Sequence, residues 1–99
     1  MSENWYEDAE VEDKVEWAEE WEPTNDGVNI NWLAEDDEAD VREALARNKN
    51  TPIAILERLA EDEKHMVKVA VLTNPSSPKN IVDKLEKYHQ DWKKNYEKN

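Results

Sequence analysis

From Glu38 to Arg47 the apolar residues Val41, Ala44 and Leu45 fall on one helical face, and the same spacing returns from Glu63 to Thr73 with Val67, Ala70 and Val71. Asn48 and Asn74 follow these two runs. Asparagine tolerates the left-handed conformation that ends many helices, so both positions are expected to be C-caps. Next come Thr51-Pro52 and Ser77-Pro78. A hydroxyl N-cap with proline at the first helical position predicts second helices over Pro52 to Ala60 and from Pro78 onward. The last helix is the longest, because Ile81, Leu85, Tyr88, Trp92 and Tyr96 continue one face over about five turns. Lys93, Lys94 and Lys98 near its end suit the negative pole of the helix dipole. Upstream, Glu7 to Glu22 also has helical spacing, with Val11, Val15, Trp17, Ala18 and Trp21 on one broad face and carboxylates elsewhere. Pro23 stops it, and Thr24-Asn25-Asp26-Gly27 reads as a turn. The alternation Val28, Ile30, Trp32 fits a short strand when taken alone.

Shifting the chain by 26 residues uncovers an internal repeat. Leu33-Ala34-Glu35-Asp36 returns as Leu59-Ala60-Glu61-Asp62, and Val41, Ala44, Asn48, Pro52 and Ile55 return as Val67, Ala70, Asn74, Pro78 and Ile81. Composition alone would give about one or two such identities in a window of this length. Seven further pairs are conservative, among them Arg42/Lys68, Thr51/Ser77 and Arg58/Lys84. A period in this range means stacked helical units. Weaker register continues upstream, with Ile30 and Leu33 in the places of Leu56 and Leu59 and Asn25 where Thr51 and Ser77 sit. We therefore follow the register and expect a helix, not a strand, around residues 28–32.

The succession of an Asp-rich turn, Val-Arg/Lys-x-Ala, Asn-Lys or Asn-Pro, Ser/Thr-Pro and Ile-Leu/Val-x-x-Leu resembles the leucine-rich repeat variant family and, more loosely, HEAT-like helical repeats, over about residues 30–85. The matching positions in one unit are Val41, Arg42, Ala44, Asn48, Thr51, Pro52, Leu56, Leu59 and Ala60. In the next they are Val67, Lys68, Ala70, Asn74, Pro75, Ser77, Pro78, Val82 and Leu85. The resemblance implies an all-helical solenoid that offers a surface to a partner and is not itself an enzyme. Family members are usually much longer arrays, so two to three units cannot form an extended concave groove. Some members carry cysteines for an iron–sulfur centre, which a chain without cysteine cannot hold. The expected fold is thus all-α: a short right-handed solenoid of two to three units, with an acidic N-terminal helix and a long C-terminal capping helix. Residues 1–24 form the acidic segment and 25–99 the repeat domain, with units at about 33–58 and 59–85 and the capping helix reaching residue 97.

Charge divides the chain at the same place. The formal net charge of −12 is a balance of −15 over residues 1–40, where Lys14 is the only base against 16 carboxylates, and +3 over residues 41–99. Such a balance argues against direct binding of nucleic acid or of anionic membrane. No membrane span or signal peptide is expected, and a cytoplasmic location is the simplest expectation.

Catalytic chemistry fails on inventory. There is no cysteine, a single glycine cannot cradle a phosphate, and His65 and His89 lack any metal-binding spacing and read as boundary residues of helices. No enzymatic activity, catalytic residue, cofactor or metal is therefore expected. Glu35-Asp36-Asp37-Glu38 and Glu61-Asp62-Glu63 invite a calcium reading, but counting an EF-hand loop from Gly27 puts Leu33 where its bidentate Glu should stand. Asp36 and Asp62 read better as caps at the N-termini of the first helices. Arg42 with Lys68 and Arg58 with Lys84 should line up on adjacent layers, as solvated charge or as a receptor for the acidic helix.

The expected binding residues lie in the acidic segment: Glu7, Asp8, Glu12, Asp13, Glu16, Trp17, Glu19, Glu20 and Trp21. Tryptophan is enriched at interface hot spots, and a carboxylate face suits a basic protein surface. The expected function is a non-enzymatic protein-binding module, an acidic inhibitor or adaptor, acting as a monomer or weak homo-oligomer. The alternatives are a nucleic-acid mimic that blocks a nuclease or another DNA- or RNA-binding defence complex, and a homotypic structural repeat.

Overall fold

The computed structural model describes residues 4–24 and 27–98. Glu3, Asn25 and Asp26 lie outside them, so neither the upstream register at Asn25 nor the turn at Asn25-Asp26 can be compared with structure. The helices are α1 (Asn4–Asp8), α2 (Val11–Glu20), α3 (Ile30–Ala34), α4 (Ala39–Arg47), α5 (Ile53–Leu59), α6 (His65–Thr73) and α7 (Lys79–Lys98). Among the described residues there is no strand, and residues 30–34 are helical, as the repeat register requires. This is an all-helical repeat domain. α2, α4 and α6 stack in one row, α3 and α5 pack behind them, and α7 closes the far end against α6.

Repeat-equivalent apolar positions make the core. Leu33 and Leu59, Val41 and Val67, and Leu45 and Val71 are each 0–2% exposed, and Leu56 joins them. Burying a side chain of this size contributes about 1.5–3 kcal/mol. A core carried by so few large residues leaves the rest of the fold to polar contacts between layers.

The long C-terminal helix has a local cause. Asp36 and Asp62 open their units by turning the chain: each Oδ1 accepts the backbone N–H two residues on, of Glu38 and of Lys64, at 2.9 Å. These carboxylates therefore sit two residues before the helix N-caps Glu38 and Lys64, and hold the turn, not the first helical turn as the sequence suggested. One period after Asp62 stands Tyr88. A phenol cannot make this short Asx turn, and the helix runs on. Only Ile81 and Leu85 of its apolar face are buried; Trp92 and Tyr96 are exposed, so the first half of the helix makes the buried cap and the second half meets α6 through ring contacts of His89 and Trp92 with His65.

The other departures are likewise tertiary. The single helix expected over Glu7 to Glu22 is broken at Ala9-Glu10, where Glu10 adopts an extended N-cap conformation. The break lets Tyr6 swing onto the repeat body and become buried. Pro52 is the N-cap of α5 and not its first residue. The Thr51 and Ser77 hydroxyls do not cap the helices that follow; they donate backward to the carbonyls of Leu45 and Val71, at 2.7 and 2.6 Å.

Candidate functional site

Asn48 and Asn74 stand at the C-caps of α4 and α6, but with φ −75° and ψ 120–124° they are extended and not left-handed. Their side chains, buried with the residues 7% and 4% exposed, reach across to the preceding layer. The Asn74 amide donates to the carbonyls of Ala46 (2.7 Å) and Asn48 (3.0 Å). The Asn48 amide donates in the same way to Ala18 (2.9 Å) and Trp21 (2.7 Å). Each Oδ1 accepts the N–H two residues on, from Asn50 and Ser76, at 2.8 Å. An extended backbone aims the amide at carbonyls at the helix ends of the previous layer, of which that of Asn48 also accepts the Thr51 N–H.

A second set of contacts runs from the cation of one layer to the head of the next. Arg42 meets Asp62 through two hydrogen bonds, Nε at 2.7 Å and Nη2 at 3.2 Å, and Nη1 donates to the Asp36 carbonyl at 2.7 Å. Burial pushes the Asp62 carboxyl up, but the Arg42 bond, the Lys64 N–H and the charges of Arg42 and Lys68 outweigh it and hold the group below the usual carboxylate range. One layer on, Lys68 lies over the Tyr88 ring, 4.3 Å from its centroid. One layer back, the residue in register with Arg42 is Glu16, which cannot serve. Lys14 serves instead, its Nζ 3.4 Å from Asp36 Oδ2, with the two side chains only 11% and 4% exposed. The Tyr6 hydroxyl donates to the same oxygen at 2.7 Å, and its ring lies 4.6 Å below the Lys14 ammonium. Burial, then the Asp36 hydrogen bond and charge, push the Tyr6 phenol well above its ordinary value. The helical spacing of Lys14 with Val11, Ala18 and Trp21 was visible in the sequence and would have placed it on the inner face.

The outer face of the first layer is what remains. Glu7, Asp8, Glu10, Glu12, Asp13, Glu16, Glu19, Glu20 and Glu22 are all exposed. Of the expected binding residues, Trp21 is not on this face: its side chain is buried at 7% exposure and its carbonyl is held by Asn48. Trp17 is half-buried in a cluster of rings, 5.6 Å from Trp5 and 6.1 Å from Tyr6, and Trp32 completes it at 5.8 and 5.4 Å from the same two. The tryptophans thus fasten the acidic segment to the repeats, and the carboxylates are what it presents. The repeat cations do not receive α2. Arg58 pairs with Glu35 at 2.8 Å and Lys84 with Glu61 at 2.9 Å, one layer apart along the same edge. Below the end of α2 lies an open groove of about 970 Å³, with Glu19, Glu20 and Glu22 on one side and Arg47 and Lys49 on the other.

Among the described residues no three His, Asp or Glu side chains converge to hold a metal ion, and no helix is long and apolar enough to cross a membrane. Comparison with curated proteins and with solved structures returns no match. The family model for the leucine rich repeat variant matches residues 39–64, from the first residue of α4 to the N-cap of α6. Val41, Arg42, Asn48 and Thr51, whose contacts build the core and the ladders, fall inside that span, over which the chain is similar to this helical repeat family.

Proposed function

We propose that this chain is a non-enzymatic protein-binding module, an acidic inhibitor or adaptor whose first layer engages a basic surface of a partner protein. One observation carries the reading: the only base of the first forty residues is buried against Asp36, while nine carboxylates between Glu7 and Glu22 are exposed. A face of one sign, on a helix backed by packed rings, concentrates its field on an approaching partner and raises the rate of encounter. The partner residues are then Glu7, Asp8, Glu12, Asp13, Glu16, Glu19 and Glu20, with Trp17 reachable at the edge.

A second reading, nucleic-acid mimicry, is favoured by the continuation of exposed carboxylates onto later layers at Glu35, Asp37, Glu38, Asp40, Glu61 and Glu63. The test is affinity capture with the native chain beside a variant carrying Glu12→Lys, Glu16→Lys and Glu19→Lys, followed by competition with DNA and RNA. A partner held by the native chain and lost by the variant supports the first reading. If nucleic acid and this protein exclude one another from that partner, the reading becomes mimicry. Equal capture by both chains removes the acidic face from the interface.

A further inference from the structure

At the closed end of the stack, α6 and α7 meet through rings. His65 of α6 lies on the Trp92 indole with centroids 3.8 Å apart at 15°, and its ring is 5.3 Å from that of His89 at 23°. His65 Nδ1 is 3.0 Å from the Tyr88 hydroxyl. His89 Nδ1 is buried and has no hydrogen-bond partner among the described residues. Trp92 continues the stack onto Tyr96, 5.2 Å away at 7°.

Neutral rings share such a stack without electrostatic penalty. One imidazolium gains a cation–π contact with the indole. Two do not fit: they would stand 5.3 Å apart, beside the Lys68 ammonium that already lies over Tyr88, and the buried Nδ1 of His89 would carry a proton with no acceptor. α6 itself contributes Lys68 and α7 contributes Tyr88 and His89; α4 and α5 also pack on α6, yet the charges that act on His65 are those of His89 and Lys68.

We propose that His65 and His89 form a pH-sensitive latch, which holds the second half of α7 against α6 while the rings are neutral and releases it when both are protonated. Ile81 and Leu85 are buried and keep the first half of α7 in place, so release is confined to about residues 88–96. Burial, then the charges of His89 and Lys68, hold the His65 imidazole below its ordinary value of 6.5. The closed latch therefore prefers the neutral ring: its contribution is complete above that value and is lost as pH falls through the lowered one.

The test is amide hydrogen exchange on the full chain, read as protection factors between about pH 7.5 and 5.0, with the histidine ring protons titrated in parallel by NMR. Protection over residues 89–96 is expected to fall at least about tenfold while that of residues 67–71 in α6 is unchanged. Replacing both histidines, His65→Phe with His89→Phe, keeps two rings and removes the protons, and should abolish the fall. If that variant does not fold, His89→Phe alone should remove most of it, since one imidazolium is tolerated. Unchanged protection after both histidines titrate overturns the latch, as does an equal loss in α6 or a fall that persists in the variants.

Discussion

The joint between α2 and α4 and the joint between α4 and α6 do the same work with different residues. Each is closed by a buried asparagine that donates two hydrogen bonds to carbonyls of the preceding layer, and each has a cation from the earlier layer on the aspartate that opens the next. In the repeat proper that cation is Arg42, whose planar fork takes both oxygens of Asp62. In the first layer it is a lysine, a point charge with no fork, offset by two residues from the register position, and Tyr6 supplies the hydrogen bond that lysine alone does not. What is required is therefore a place in space and not a residue. The second layer imposes its Asp and Asn on whatever precedes it, and the first layer, free of the repeat sequence, met that demand while keeping its outer face for carboxylates.

The comparison predicts that the joints differ most when the aspartate is removed. Asp36→Ala strands a buried lysine and a buried phenol together, and is expected to cost about 4 kcal/mol. Asp62→Ala is expected to cost about 2 kcal/mol, because Arg42 keeps its bond to the Asp36 carbonyl. Chemical denaturation measures both, and a larger loss at Asp62 would mean that the first layer is an appendage and not a working layer. The Asp62 joint also has an acid signature. Its carboxyl is held below its ordinary value in the folded chain, so its contribution is complete above that value and disappears as pH falls through the lowered one. Asp62→Asn should flatten that part of the stability profile.

Next in size are the asparagines. Asn48→Ala and Asn74→Ala each take a buried donor from two carbonyls and an acceptor from one part-buried N–H, at an expected cost of about 2–3 kcal/mol. In a domain of this size that lowers Tm by about 10–20 °C. Equal losses in the two variants would show that α2 is docked as firmly as α4. A loss at Asn48 of less than half that at Asn74 would show the first layer opening before the rest.

The same contrast explains what could be read in advance. The apolar spacing in residues 38–85 and the 26-residue register predict the helices and the core, because burial of Val41, Leu45, Val67 and Val71 follows directly from periodicity. The polar positions stand out in the sequence, and Asn48 and Asn74 do lie at the C-caps of α4 and α6, but what the polar side chains hold is not what local capping predicts. Asn48, Thr51, Asp36 and their equivalents are residue types that cap helices locally, and in isolation that is their best use. In a stack, the Asn48 and Asn74 amides go to carbonyls of the preceding layer, the Thr51 and Ser77 hydroxyls go back to the helix they follow, and the Asp36 and Asp62 carboxylates take a cation of the earlier layer, which no local pattern reveals. The first layer was least legible. Trp17 and Trp21 are equally suited to an interface and to a core; the proximity of Trp5 and Tyr6 decides for Trp17, and burial beside Asn48 decides for Trp21.

The smallest expected effect separates fold from surface in that layer. Glu12, Glu16 and Glu19 are exposed, and like charges spaced three or four apart on a helix repel one another. Replacing the three by glutamine keeps their size and helix propensity and removes that repulsion, so Tm should stay the same or rise by no more than about 3 °C. The inner residues Lys14, Ala18 and Trp21 are untouched by the change, and circular dichroism should be the same in both chains. A marked loss of stability would mean that these carboxylates belong to the joint with α4 after all. An unchanged melt makes them separable from it: a partner that leaves this triple variant then does so because of the face and not the fold.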